Sequence, residues 1–160
     1  MAPELLVSIS KQTLALYENN SCVRQWSVST AKNGVGNLSG SNQTPLGTHR
    51  IRACIGAGAA VGSVFVGRRH TGEIYSAALA TRFPNRDWIL SRILWLCGEE
   101  KGINRGGNVD SQRRYIYIHG TPDTEPMGVP LSHGCIRMRN QDVIELFDCV
   151  GPGTRVIIKP

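Results

Sequence analysis

The chain has 160 residues, carries a formal net charge of +6 and has a sequence pI of about 9.4, with 41% hydrophobic and 19% charged residues. That length and balance predict one domain over residues 1–160, able to bury roughly 70% of its unfolded surface, and exclude a disordered polyelectrolyte or a chain needing a disulfide or metal staple. The positive charge suits nucleic acid or a pocket for an acidic ligand, but no helix-turn-helix, zinc-finger or RNA-stacking motif accompanies it, so no nucleic-acid partner is expected.

Eighteen glycines and eight prolines against 6% aromatic residues predict many turns, and so short strands in preference to a helical bundle. Met1–Ser10 has no basic residue, one acidic residue at Glu4 and a short, alternating apolar run. It reads as a strand start rather than a secretory leader. No stretch is long enough to span a membrane. A cytoplasmic location is therefore expected, the alternative being periplasmic if a leader is missing from the sequence given. Strands are predicted at Leu5–Ile9, then at Thr13–Tyr17 and Cys22–Thr30 as a hairpin about Asn19-Asn20. Asn33–Gln43 reads as a loop, Thr44-Pro45-Leu46-Gly47 as a turn, His49–Ile55 and Val64–Val66 as strands. The glycine runs Gly34–Gly40 and Gly56–Gly62 lack the dinucleotide-binding spacing and its following helix, and read as turns.

Asp87–Cys97 is predicted as a helix. Leu90, Ile93, Leu94 and Cys97 share a helical face, Asp87 supplies an N-cap and Gly98 a stop. On that face Cys97 reads as a core thiol. Tyr115–His119 alternates as a strand, Ile116 and Ile118 facing one way, Tyr115, Tyr117 and His119 the other. Gly120–Leu131 is a loop. Asn140 is placed as the cap of a second helix with Val143, Ile144, Phe147 and Val150 on its apolar face, and Arg155–Ile158 closes the chain as a strand.

The five cysteines, Cys22, Cys54, Cys97, Cys135 and Cys149, form no C-x-x-C pair. Their odd number and irregular spacing fit reduced thiols better than a secreted disulfide framework. One of them has unusual company. His119 ends a strand, a twelve-residue loop follows, and then comes Ser132-His133-Gly134-Cys135. A free thiol has a pKa of about 8.5, so little of it is nucleophilic thiolate at neutral pH. A nearby imidazole can take its proton and later return it to a leaving amine. Backbone N–H groups around Gly134 and Cys135 are candidate donors to a tetrahedral oxyanion. Two other readings fit the same residues: a zinc site built from both histidines and the cysteine, and a purely structural cluster. The polar, glycine-containing surroundings of Cys135, between loop and helix, favour a reactive thiol.

Ser132-His133-Gly134-Cys135-Ile136-Arg137-Met138 resembles the S-H-G-C-I-R signature of YkuD-type L,D-transpeptidases. His119-Gly120 is similar to that family's second motif, and Thr44-Pro45-Leu46-Gly47-Thr48 to its T-P-x-G-x segment. The hairpin around Leu14, Tyr17 and Trp26 and the closing Gly153–Ile157 are similar to its first and last strands. The resemblance implies a mainly β fold, a YkuD-like β-sandwich of short strands with one or two peripheral α-helices. It implies a Cys135 nucleophile and a His119 base oriented by the Gly120 carbonyl, with Ser132, His133, Gly134 and Arg137 shaping the oxyanion and substrate pocket. It implies attack on the bond between meso-diaminopimelate and D-alanine in a peptidoglycan tetrapeptide stem, with no metal or organic cofactor. A bare catalytic domain without a leader points to water as acceptor, making an L,D-carboxypeptidase of cytoplasmic peptidoglycan recycling. The alternatives are a periplasmic L,D-transpeptidase that forms 3–3 cross-links or protein anchors, and a non-catalytic wall-peptide binding module.

Overall fold

The computed structural model describes residues 2–160. Ten strands form one sheet: β1 (Glu4–Ser8), β2 (Thr13–Glu18), β3 (Ser21–Ser27), β4 (Gly47–Ile55), β5 (Ser63–Val66), β6 (Arg69–Ile74), β7 (Ile89–Gly98), β8 (Tyr117–Thr121), β9 (Ile136–Arg139) and β10 (Arg155–Lys159). Two helices accompany them, the six-residue α1 (Ala77–Arg82) and α2 (Asn140–Cys149). Along the sheet the order is β3-β2-β1-β10-β4-β7-β5-β6, and β8 and β9 branch from β7. The mainly β expectation holds.

The opening hairpin turns at Asn19 (φ 50°) and Asn20 (φ 65°). Asparagine tolerates this left-handed pair, whose twist matches that of the flanking strands. Alternation then sets the core: Leu5 and Val7 of β1 are fully buried, as are Val156 and Ile158 of β10, which joins β1 in parallel and β4 antiparallel. The last strand of the chain is thus an interior strand of the sheet. The main core gathers Leu5, Leu14, Ile51, Leu94, Ile118, Ile136 and Met138 with Val143 and Leu146 of α2. A smaller cluster of Phe65, Ile93 and Tyr117 lies beside Cys135.

The helix predicted over Asp87–Cys97 is instead β7, the most connected strand, pairing with β4, β5 and β8. Most of its residues are buried, and no strict alternation survives when both faces of a strand are covered. Spacings of three and four in such an apolar run mimic a helix. Asp87 accordingly caps nothing. Its carboxylate reaches Arg137 Nη2 (3.2 Å) and His133 Nδ1 (3.7 Å). Cys97 is buried, on a strand.

The second predicted helix exists, with Val143 and Leu146 as its buried residues, but its N-cap is Arg139. Asn140 is turned inward: its amide donates to Thr121 O (3.0 Å) and Asp123 Oδ1 (3.2 Å), and its Oδ1 accepts from Ser91 Oγ (2.6 Å). Ile136–Arg139 is a strand where loop-to-helix was expected, because β8 pairs with it in parallel. The sequence reading lacked β6 and α1, whose residues are mostly exposed and show no periodicity.

Candidate active site

Strands β8 and β9 fix the central residues. Their parallel register sets Ile118 beside Ile136 and His119 beside Arg137. Ile118 and Ile136 bury into the main core. The alternate positions Tyr117, His119, Cys135 and Arg137 therefore share the opposite face. All four line one cleft of about 500 Å³, together with Arg68, Asp87, Arg114, Tyr115, Ser132 and His133.

Cys135 stands one residue before β9, partly exposed at the cleft floor. Its sulfur accepts the Tyr117 N–H (3.3 Å) and directs its own S–H to Tyr115 O (3.4 Å). His119 is buried, with Nδ1 2.6 Å from Gly120 O. A carbonyl only accepts, so Nδ1 carries the proton and Nε2 is left with its lone pair. The Gly120 position tolerates nothing larger than hydrogen. A Cβ there would lie 2.5 Å from Leu90 O and 2.6 Å from Asn140 Oδ1.

The loop before Cys135 is clamped. Ser132 Oγ donates to Cys135 O (2.6 Å) and accepts the Gly134 N–H (3.2 Å). Thr44 Oγ1 donates to Gly134 O (2.9 Å) and accepts the Ala31 N–H (2.9 Å). Gly134 has φ +134°, with Gln43 O 3.3 Å from where a Cβ would stand, so a side chain would meet both strain and contact. The Gly134 N–H, expected as an oxyanion donor, is thus engaged by Ser132. Among the described residues nothing accepts from the Cys135 N–H.

The electrostatics differ from the expected thiolate–imidazolium pair. Burial pushes the Cys135 thiol up to about 12, opposed by the Tyr117 N–H and the positive charge of Arg137 and Arg114. Burial also holds His119 below the ordinary histidine value, with the Gly120 carbonyl pulling the other way. Burial thus works against the charged form of both groups, because removing either charge from water outweighs its few partners.

Arg137 is nearly buried, its guanidinium tied to Asp87 Oδ1 (3.2 Å) and Leu131 O (3.4 Å). It lies on a strand and faces the cleft, not at the start of a helix as expected. His133 is mostly exposed at the rim. Among the described residues no three His, Cys, Asp or Glu side chains converge as a zinc site needs.

The strand predicted over Tyr115–His119 begins instead at Tyr117 and runs on to Thr121, into the predicted loop; Tyr115 stands in a left-handed turn before it (φ 56°) and still lines the cleft. Sequence reasoning gave no role to Arg68 or Arg114 and read Asp87 as a helix cap. The donors of Arg114 go to Gly36 O (3.2 Å), Ser41 Oγ (3.3 Å) and Gln43 O (2.5 Å). Arg68 comes from a distant hairpin, and nothing local marks it.

Residues 2–158 match the family described as the YkuD L,D-transpeptidase catalytic domain. A stretch of 48 residues is 48% identical to the putative L,D-transpeptidase YkuD of Bacillus licheniformis, covering 30% of this chain and 29% of that protein. Another of 43 residues is 49% identical to the probable L,D-transpeptidase YbiS of Escherichia coli, covering 27% of this chain and 14% of that protein. These matches span less than a third of either relative. An L,D-transpeptidase from Mycobacterium smegmatis aligns with a TM-score of 0.58 at 17% identity, over 99% of this chain and 59% of that one. L,D-transpeptidase 3 from Mycobacterium tuberculosis aligns at 0.61 and 16%, over 99% and 61%. At such identities the likeness of these two structures is one of fold. With the family match running nearly end to end, the chain belongs to the YkuD L,D-transpeptidase catalytic domain family.

Proposed function

We propose that this chain cleaves the bond between the L-centre of meso-diaminopimelate and the terminal D-alanine of peptidoglycan tetrapeptide stems through an acyl-enzyme on Cys135. One observation carries the reading: Cys135 and His119 open onto the same cleft, and the Gly120 carbonyl holds the imidazole in the tautomer whose Nε2 accepts a proton. Nε2 takes the Sγ proton as sulfur bonds to the peptide carbonyl carbon. The carbonyl oxygen becomes an oxyanion, for which the Cys135 N–H is the nearest backbone donor left free. When the C–N bond breaks, the imidazolium gives its proton to the departing amine. Ser132 and Gly134 keep the nucleophile loop in place. Arg137, with His133 at the rim, holds the carboxylate of the leaving D-alanine, exchanging part of its bond to Asp87 for the substrate.

The acyl-enzyme is then released by water, which gives up a proton to Nε2 as its oxygen replaces sulfur and the thiol is restored. The five unpaired cysteines support this L,D-carboxypeptidase reading, since free thiols fit a reducing compartment where released stem peptides are the substrates. The two curated relatives described above are named L,D-transpeptidases, which favours instead an amine acceptor on the same acyl-enzyme, forming 3–3 cross-links or protein anchors.

Incubation with a free tetrapeptide and a diamino acceptor, with products weighed, separates the two. Tripeptide plus D-alanine is expected; a tripeptide–amine conjugate as the main product would establish the amine acceptor. Cys135→Ala should release no D-alanine with the fold retained, and Cys135→Ser almost none. Release by Cys135→Ala would overturn the mechanism, and binding without turnover by the unaltered protein would mark a wall-peptide binding module.

A further inference from the structure

Three arginines line the cleft, and two are already occupied. Arg137 pairs with Asp87, and Arg114 spends its donors on the carbonyls of Gly36 and Gln43 and on Ser41. Arg68 is different. Its guanidinium lies 4.7 Å from the Trp95 ring centroid and 5.0 Å from that of Tyr115, and Nη1 donates to Tyr117 Oη (3.1 Å). Among the described residues no carboxylate pairs with it, which leaves most of its five N–H donors without a protein acceptor. A guanidinium held against two rings keeps its planar fork available to a bidentate acceptor.

The backbone points the same way. Gly67 and Arg68 make the two-residue turn between β5 and β6, with Val66 opposite Arg69, and Arg68 sits at φ 64°. Asparagine or glycine is the ordinary choice there. A long cationic residue is strained, and such strain concentrates at ligand-binding positions.

The direction of the substrate decides which carboxylate Arg68 meets. Tyr115, in the left-handed turn before β8 (φ 56°), lines the same cleft as Tyr117 and His119, and the Cys135 sulfur is held at Tyr115 O and Tyr117 N. His119 must reach the leaving amine, so D-alanine departs toward His119 and Arg137. The acyl half therefore runs the other way, over Tyr115 and under Arg68. On the proposed reading of the site, which this step rests on, we infer that Arg68 is the specificity residue for the side-chain carboxylate of the diaminopimelyl residue, the part that stays on Cys135 after D-alanine leaves.

The test compares two tetrapeptides, one with that side-chain carboxylate free and one with it as the carboxamide. Binding to Cys135→Ala protein, which leaves both peptides intact, is read by calorimetry. The free carboxylate should bind at least about tenfold more tightly, the span expected of a charge-assisted, forked hydrogen bond. With Arg68→Gly added, the two peptides should bind within about twofold of each other. This substitution relieves the left-handed turn, so the fold is kept. Arg68→Lys, which keeps charge but not the planar fork, should restore only part of the preference. Equal binding by Cys135→Ala protein, or a preference that survives Arg68→Gly, overturns the inference. D-alanine release by the unaltered protein is measured in parallel. A preference without release leaves Arg68 as a carboxylate site while the acyl-transfer reading fails; release without an Arg68-dependent preference does the reverse.

Discussion

At the scale of single residues, the cleft is a place where burial outweighs partnership. Cys135 has one N–H donor on its sulfur and two cations nearby, yet its thiol is pushed up to about 12. His119 is shifted down by the same desolvation. The free protein should therefore alkylate slowly at neutral pH. The Cys135 rate should rise about tenfold per pH unit from roughly pH 7 to 10, in step with the thiolate fraction. A plateau between about pH 6 and 8 would reveal a standing ion pair instead. His119→Ala should leave that rising limb in place while losing D-alanine release, because in the proposed mechanism the imidazole acts during attack and not at rest. Mass-resolved labelling against pH for both proteins makes the comparison.

At the scale of elements, the proposed nucleophile is presented by a junction rather than by a helix end. β8 and β9 pair in parallel, and the loop between them returns through Ser132 and Gly134 to set Cys135 beside Tyr117. Thr44, ninety residues away in sequence, ties that loop to the strand-like segment at Ala31. Thr44→Val keeps the shape but leaves the Gly134 carbonyl and the Ala31 N–H without their partner. The cost should be about 1–3 kcal/mol in urea unfolding. Activity should fall by more than the loss of folded protein explains, about tenfold in kcat/KM, since small displacements of a reacting atom are expensive. Wild-type kcat/KM in a folded Thr44→Val protein would show that the clamp does not position Cys135. The Thr-Pro-x-Gly resemblance marked this segment in the sequence, but not the bond it makes.

At the scale of the whole molecule, His49 joins β4 to the segment before β8. Its Nε2 lies 2.8 Å from Ser111 Oγ and its Nδ1 3.1 Å from Gly47 O, with no exposed surface. Burial lowers it to about 4, with the Gly47 carbonyl pulling upward. An unfolded histidine takes up its proton near pH 6.5, while the folded one resists until about 4. Between those values the unfolded state binds more protons, so stability is full above about pH 6.5 and falls as pH drops toward 4. The loss due to His49 should approach about 3 kcal/mol. Urea midpoints at pH 7 and pH 4.5 measure it. His49→Gln should be less stable at pH 7 but show a clearly smaller drop between the two. An equal drop would assign the acid sensitivity elsewhere, to His119 first, whose shift has the same sign.

The sequence by itself determined the features that depend on neighbours along the chain. Alternation marked β1, asparagines marked the opening turn and its hairpin, and the Ser-His-Gly-Cys and His-Gly motifs marked the two residues on which the proposed chemistry rests. It misread β7 because a strand buried on both faces keeps no period of two, and what covers those faces comes from other parts of the chain. It assigned Asp87 and Asn140 to helix caps, when one reaches Arg137 across the cleft and the other bridges Ser91 and Thr121. Only the tertiary structure decided that burial works against the charged forms of the thiol and the imidazole, since desolvation depends on everything packed around them. Only it brought Arg68, from a strained turn after β5, onto Trp95 and Tyr115 from two other segments. Those contacts join residues remote in sequence, and no local pattern encodes them.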